Sequence, residues 1–168
     1  MAGQRARKLL AANVNGLPLM AEVEELTPPE IKKMMEESRG GKLMADEIMV
    51  GLEKMTFELK ISGPNATLLS NYGLRQGDVC QIDVRASEQD KDGEKYAILY
   101  SLSCEITAIK EETVKMGSKP MHTLSGTCRA YLKTENGQVI YDINTTTQVI
   151  DLGAGDIMQE HRRNVGLA

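Results

Sequence analysis

The stretch MTFELKI, residues 55–61, alternates apolar and polar side chains without a break. Successive side chains of a β-strand point to opposite faces, so one face of this segment carries Met, Phe, Leu and Ile. The opposite face carries a polar series that begins one position upstream: Lys54, Thr56, Glu58 and Lys60. Such a strand is typical of an antiparallel sheet that covers a core on one side and meets water on the other. We therefore predict a half-buried strand within residues 50–62.

The same alternation recurs further along the chain. In residues 79–87, apolar positions alternate with three polar ones: Gln81, Asp83 and Arg85. Residues 96–109 and 121–133 form longer runs with the composition of strands. Asn-Gly pairs at 15–16 and 136–137 are strong signals for two-residue hairpin turns. Together these segments predict about seven strands, arranged largely as antiparallel neighbours.

Local rules also indicate short helices at three places. Residues 27–41 begin Thr-Pro-Pro-Glu, which has the form of a capping box followed by a helical spacing of apolar residues. Residues 64–72 begin with Pro and are followed by Gly, as short helices often are. Near the end of the chain, Asp156 can cap a closing helix that has Gln159 in the capping-box position and runs to about Arg163.

The segments add up to a mainly β protein. Two Asn-Gly hairpins and long β-rich runs favour a β-sandwich or barrel over an alternating βαβ fold. We expect one domain that covers residues 1–168. Residues 1–12 are expected to form a flexible basic extension, and residues 39–49, with Gly-Gly and mixed charge, a long exposed loop.

Composition limits the functional classes. Hydrophobic residues make up 41% and charged residues 26%, which is ordinary for a soluble globular protein, and the net charge of −4 argues against tight nucleic-acid binding. Three cysteines without C-x-x-C spacing, Cys80, Cys104 and Cys128, are expected to be small buried side chains in a reducing compartment. No stretch approaches the roughly 20 apolar residues of a membrane span. We therefore expect a protein that is made and folded in the cytoplasm.

Signals for catalysis or metal binding are weak. His122 and His161 have no His, Cys or carboxylate partner at a recognised ligand spacing, so we expect no metal site. The Gly-Ala-Gly-Asp segment at 153–156 lacks the Lys-Ser/Thr of a P-loop and is interpreted as a turn before a helix. Ser125 lacks the G-x-S-x-G frame of a nucleophile elbow. The sequence therefore predicts neither an enzyme nor a bound cofactor.

Six short segments follow one another in a set order: Asn13-Val14-Asn15-Gly16, Val23 to Pro29, Glu37-Ser38-Arg39-Gly40-Gly41, Gly51-Leu52-Glu53, Asn71-Tyr72-Gly73-Leu74 and Arg162-Arg163-Asn164-Val165-Gly166-Leu167. Their order and spacing over residues 10–167 resemble the major tail tube family of contractile-tailed bacteriophages and of the R-type pyocins. The resemblance is weakest from residue 75 to 121. Ser38 stands where the family has Tyr, and Pro29 stands where Leu is usual.

The resemblance implies a β-sandwich-like tail tube fold with one or two short helices and a long arm. It also implies that residues 30–38 form a strand, against the helix that local rules favour, and we adopt the strand because tertiary context overrides propensity. Hexameric rings would stack into a tube inside a contractile sheath. The implied partners are further copies of the chain, the sheath, the tape-measure, baseplate and terminator proteins, and DNA that passes through without specific binding. The implied location is the virion tail or a phage-tail-like particle.

Site residues follow from combining the resemblance with the strand patterns. The lumen is expected to be lined by seven polar residues: Lys54, Thr56, Glu58, Lys60, Gln81, Asp83 and Arg85. The arm between subunits is expected to use Arg39, Gly40, Gly41 and Asp46, and the family's C-terminal motif corresponds to Arg162, Gly166 and Leu167. The polar faces could instead be outer surface, and the arm could be a plain loop. Two other functions stay open at this point: a type VI secretion-like tube and a monomeric β-barrel that binds a ligand on its polar face.

Overall fold

A computed structural model describes residues 3–18, 23–63 and 77–167. In these residues the chain forms eleven strands and one helix. The first six strands are β1 Arg5–Val14, β2 Leu17–Pro18, β3 Val23–Thr27, β4 Lys33–Ser38, β5 Asp46–Leu52 and β6 Met55–Ser62. The remaining elements are β7 Cys80–Asp90, β8 Lys95–Glu111, β9 Met121–Glu135, β10 Gln138–Asn144, β11 Val149–Asp151 and the helix α1 Gln159–Asn164.

Nine strands form one antiparallel sheet in which β9 occupies the central position. Its main path runs β11-β10-β9-β8-β7-β1-β2, and a branch adds β6 and then β3. One edge of β9 pairs with β8 over most of its length. Its other edge is divided, because residues 121–128 pair with β6 and residues 130–135 pair with β10. A mainly β fold is thereby confirmed, and β4 and β5 form a separate two-stranded sheet.

The large sheet curves around one hydrophobic core. In the pairing order β9 and β8 separate β6 from β7, yet the inward side chains of both strands pack in the same buried cluster. Leu59 and Ile61 from β6 are fully buried there beside Ile82 and Val84 from β7. Among the described residues the sheet stays open, because β1 and β3 line opposite sides of a groove and do not pair with each other.

The alternation predicted from the sequence is confirmed in both diagnostic segments. Met55, Phe57, Leu59 and Ile61 are buried, while the intervening residues of β6 point outward. In β7 the residues Cys80, Ile82 and Val84 are buried and alternate with more exposed neighbours. The segment 50–62 is two strands rather than one, because residues 53–54 interrupt it between β5 and β6.

Both Asn-Gly turns form the predicted hairpins. Asn15 and Gly16 have φ angles of 49° and 84°, and Asn136 and Gly137 have φ angles of 50° and 82°. Two consecutive positive φ angles define the type I′ turn, whose twist matches that of the flanking strands. These turns set the registers β1–β2 and β9–β10. After the first turn the chain is strand at 17–18 and again at 23–27, where β3 pairs with β6 instead of β1.

Three predictions for the first 49 residues also need correction. The helix that local rules favour at 27–41 is wrong, and the strand implied by the family resemblance is confirmed as β4. The extension at 1–12 is not flexible over residues 5–12, because they belong to β1 and pair with β7. The Arg5 side chain anchors this strand through an ion pair with Glu135 and lies 3.5 Å from the centre of the Tyr96 ring.

The third correction concerns the exposed segment at 39–49. Residues 46–49 are part of β5, which pairs with β4, so the segment is the turn and one side of a β-hairpin. Cross-strand hydrogen bonding gives this projection a defined direction that a loop would lack. The helix predicted at 64–72 lies outside the described residues.

Gly126 marks the place where β9 passes closest to a bulged part of β8. The register between the two strands shifts at Ser103/Cys104 and again at Ile106/Ala108. A Cβ atom at position 126 would lie 2.0 Å from the Glu105 carbonyl oxygen. Only glycine therefore fits beside this bulge without moving a backbone.

We expect Gly126→Ala to destabilise the subunit by roughly 1–3 kcal/mol, because the added methyl group must displace the backbone of β8. The measurement is the urea midpoint of unassembled protein. Gly51→Ala is the matched control, since Gly51 is also a strand glycine and its added Cβ would meet nothing within 4 Å. Equal midpoints for the two variants would contradict this interpretation of the bulge.

Candidate functional site

The most exposed structured element is the β4–β5 hairpin, residues 33–52, which we call the arm. Its strands pair with each other from Lys33↔Leu52 to Ser38↔Asp46 and with no other strand of the described chain. Every residue of β4 is exposed. An isolated two-stranded hairpin is marginally stable in water, so an arm of this kind gains most from a partner that covers it.

Apolar side chains are concentrated on the arm although it is exposed. At its end, the side chains of Leu43 and Met44 are 96% and 82% exposed, and we call this pair the tip. Five more apolar residues are exposed along the strands: Met34, Met35, Ile48, Met49 and Val50. Solvation of so many clustered apolar groups is unfavourable, and such clusters mark contact surfaces. The sequence analysis located the arm but did not single out its apolar residues, although the Leu43-Met44 pair in a polar turn was a visible signal.

The predicted arm residues form the turn that carries the tip. Gly40 and Gly41 have φ angles of 44° and 78°, which favour glycine. Arg39 closes the turn, since its carbonyl oxygen accepts a 2.9 Å hydrogen bond from the Lys42 amide and its Nε donates to the Lys42 carbonyl oxygen at 3.1 Å. Asp46 begins β5, where its carboxylate accepts a 2.9 Å hydrogen bond from the Glu47 amide. The four residues thus shape and direct the tip.

The predicted lumen residues fall into two separate patches. Lys54, Thr56, Glu58 and Lys60 form the β6 patch, where the last three face Thr127, Ser125 and Thr123 on β9. Gln81, Asp83 and Arg85 form the β7 patch, facing Ser103, Ser101 and Leu99 on β8. In the sheet, β9 and β8 lie between β6 and β7, so two strands separate the patches. The structure does not bring the two patches together.

The two patches also differ in character. In the β7 patch, Gln81 Nε2 and Ser101 Oγ both donate hydrogen bonds to the Asp83 carboxylate, at 3.1 and 2.7 Å. Half-buried Leu99 and Leu132 flank this network on the same side of the sheet. The β6 patch is bordered instead by hydroxyl side chains of β9, and Lys60 lies 3.7 Å from the Glu112 carboxylate. The β6 patch is therefore the more uniformly hydrophilic surface.

One ion pair and three hydrogen bonds of Asp156 and Arg162 hold the C-terminal residues, and we call this group of contacts the lock. The Asp156 carboxylate accepts hydrogen bonds from the amides of Ile150 and Met158, at 3.1 and 3.0 Å. Arg162 lies 2.6 Å from the same carboxylate, and its Nη1 donates a 2.9 Å hydrogen bond to the Gln148 carbonyl oxygen. The hydrogen bond from Arg162 holds the pKa of Asp156 at about 2, below its ordinary value. This lock fastens α1 to the β11 strand.

Asp156 does not cap α1 as predicted. The helix begins at Gln159 with Met158 at the N-cap position and no side-chain cap. Asp156 lies two residues before that N-cap and accepts a hydrogen bond from the Met158 amide instead.

The hydrogen bonds at the end of α1 account for the C-terminal motif. The Gly166 amide donates to the Arg163 carbonyl oxygen and the Leu167 amide donates to that of Arg162, which is the Schellman pattern with Gly166 at a φ of 78°.

An apolar groove of about 620 Å³ opens at the base of the arm. Its floor includes Met55, Cys128 and Ile143, all buried. Val50 and Leu52 from the base of the arm form one wall, and Ile157 from the segment before α1 contributes to the other. Because the Asp156–Arg162 lock fixes that segment, it also fixes the shape of the groove.

Chemistry-bearing side chains do not converge within the described part of the chain. Residues 3–18, 23–63 and 77–167 contain no group of three or more His, Cys, Asp or Glu side chains that could hold a metal ion. The three cysteines are free and buried, as expected, and burial raises the pKa of the Cys128 thiol to about 12. In the same ranges, no helix has the length and apolar character needed to cross a bilayer.

The fold and its surfaces define a class: a β-rich building block with an exposed arm and open sheet edges, suited to assembly. The chain belongs to the family of phage tail tube protein FII, whose model matches residues 7–166. The family resemblance seen in the sequence is thereby confirmed. So is the prediction that the protein is a structural component of a tail and not an enzyme.

Individual relatives agree with this assignment. The chain is 24% identical over 172 residues to the tail tube protein of Escherichia phage P2, covering 99% of this chain and all of that one. Among solved structures, it is similar to a chain of the PVC sheath-tube complex of an extracellular contractile injection system in its extended state, with a TM-score of 0.56, 13% identity, and coverage of 75% and 88%. A chain of the anti-feeding prophage tube terminating cap gives a TM-score of 0.53 with 12% identity over 74% of this chain and 87% of that one. These structural likenesses concern the fold.

We expect Arg162→Ala to release α1 and speed hydrogen exchange at the amides of Ile150 and Met158, because Asp156 loses its ionic partner. Since the pKa of Asp156 is depressed, this stabilisation is fully present above about pH 4 and is lost as the pH falls through about 2. Arg163→Ala is the matched control on the exposed side of the same helix. The prediction fails if both variants exchange like wild type at neutral pH.

Proposed function

We propose that this subunit closes into hexameric rings and that the rings stack head to tail into the hollow tube of a contractile tail. The observation that carries the proposal is the arm: an ordered hairpin with an apolar tip that no other described part of the chain covers. A projection that cannot be buried within its own subunit is readily explained as a contact between subunits. Membership of the tail tube family supports the same interpretation.

Ring closure would use the open edges of the large sheet. The outer edge of β3 and the edge of β1 over residues 5–12 pair with no other strand among the described residues. Such edges invite pairing with another chain, and a closed ring satisfies them without open-ended aggregation in that direction. Lateral strand pairing between copies is therefore the proposed contact within a ring, and the arm is the proposed contact between rings.

The β6 patch is the surface that best suits a channel. Lys54, Glu58 and Lys60 alternate in sign, and the neighbouring positions on β9 carry Thr and Ser. A hydrated surface of mixed charge offers little net attraction to phosphates, so DNA could move past it without being held. We propose that the β6 patch lines the lumen. The β7 patch, with its flanking leucines, would then face away from the channel.

The proposed surroundings of the tube follow from the setting of its relatives. Similar folds occur in a sheath-tube complex, a sheath/tube terminator and a tube terminating cap. We propose that this tube likewise lies inside a sheath and is bounded by terminator and baseplate proteins. A tape-measure protein would occupy the lumen during assembly and DNA would pass through it afterwards.

We expect the double variant Leu43→Asp, Met44→Asp to keep its fold and lose tube assembly. Two carboxylates at the tip remove the apolar area available for burial, which should raise the protein concentration needed for assembly about a hundredfold. Negative-stain microscopy and sedimentation measure the tubes. Leu43→Met, Met44→Leu is the control that keeps the tip apolar and should assemble normally. Normal tubes from the Asp variant would rule out the arm as an assembly contact.

A labelling experiment distinguishes the lumen from the outside. Glu58→Cys and Arg85→Cys place one accessible thiol in each patch, against a background of three buried cysteines. In unassembled protein both should react with a bulky maleimide polymer. In intact tubes we expect Cys at position 58 to be protected and Cys at position 85 to react more readily. The reverse pattern would assign the lumen to the β7 patch.

A further inference from the structure

The apolar tip and the apolar groove belong to the same chain but cannot meet within it. The groove opens at the base of the arm, where Val50 and Leu52 form one wall. The tip lies at the opposite end of the two strands, about 20 Å away for six residues of β-strand. Within residues 3–18, 23–63 and 77–167, no segment covers the tip or fills the groove. The paired strands β4 and β5 lie between them.

We propose that the groove at the base of the arm receives the tip of the arm from a second copy of this chain. The inference rests on the proposed stacking of rings and names the acceptor site for it. Leu43 and Met44 would pack against Ile143, Ile150 and Ile157. A contact between two different surfaces of identical chains is heterologous, so it repeats in one direction and does not close on itself. That property is the one that a growing tube requires.

Polar groups on the tip and the groove rim also fit each other. Lys42 is exposed next to the tip, and no hydrogen bond or ion pair of its side chain is seen among the described residues. The Glu53 carboxylate lies on the groove rim at a loose 3.9 Å from Lys32, so it can accept a further cation. Lys42 of the incoming tip would pair with it, which orients the tip as its apolar side chains enter the groove.

The groove is built to keep one shape. Its floor is part of the main core through Met55, Cys128 and Ile143. Ile157 follows directly on Asp156, which Arg162 and the amides of Ile150 and Met158 hold in place. A preformed recess avoids the entropic cost of ordering on binding, so a small apolar tip can bind with useful affinity. This also gives the lock near the C-terminus a role in assembly.

A mixing experiment tests the proposal with two complementary variants. The tip variant is Leu43→Asp, Met44→Asp, which keeps an intact groove. The groove variant is Ile157→Lys, which keeps an intact tip and places its charge at a position that is already 46% exposed. Circular dichroism and the urea midpoint establish that both are folded. Each variant is purified separately, allowed to form whatever rings it can, and then mixed with the other.

We expect each variant alone to need about a hundredfold more protein than wild type to form tubes. The mixture should form objects of two layers and stop, because the tip variant can only receive a tip and the groove variant can only supply one. Sedimentation and electron microscopy measure the number of layers. A mixture that behaves like the separate variants, while wild type forms tubes, overturns the groove assignment. Long tubes from the groove variant alone also overturn it. If wild type itself forms no tubes, the proposed function fails instead.

Discussion

The pairing of β9 with three other strands holds the large sheet together. It pairs with β8 along one edge and divides its other edge between β6 and β10, so it joins both parts of the curved sheet. That division requires β8 and β9 to bend together, which the register shifts near Ser103 and Ile106 provide. Gly126 permits the close approach at the bend. Without this bend, the inward side chains of β6 and β7 would not share one core.

This arrangement separates the residues that stabilise the subunit from those of the proposed assembly contact. The buried residues come from strands of the large sheet, whereas the arm contributes two strands that pair only with each other among the described residues. If the arm makes the proposed contact, substitutions on it would change how subunits associate while the core keeps its packing. The C-terminal lock links the two roles. Asp156 and Arg162 fasten α1 to β11 and at the same time fix one side of the apolar groove.

The wrong helix at 27–41 shows the limit of local pattern. Ile31, Met34 and Met35 have helical spacing, and the capping signals are genuine, so nothing within the segment favours a strand. The deciding interaction is with residues that follow the turn, because Met35 lies directly across from Met49 in the hairpin. Asp156 gives a second case. A cap residue was visible in the sequence, but the carboxylate is committed to Ile150 and Arg162, and α1 begins later.

Features that depend on neighbouring residues could be predicted from the sequence: the alternation in β6 and β7, the two Asn-Gly hairpins and the buried cysteines. The order of its short motifs also identified the family. Three features are apparent only in the folded chain: the pairing of β1 along β7, the hairpin form of the arm with its apolar tip, and the separation of the two polar patches by β9 and β8. These properties follow from strand pairing and sheet curvature, which join residues far apart in the chain, and no local period records them.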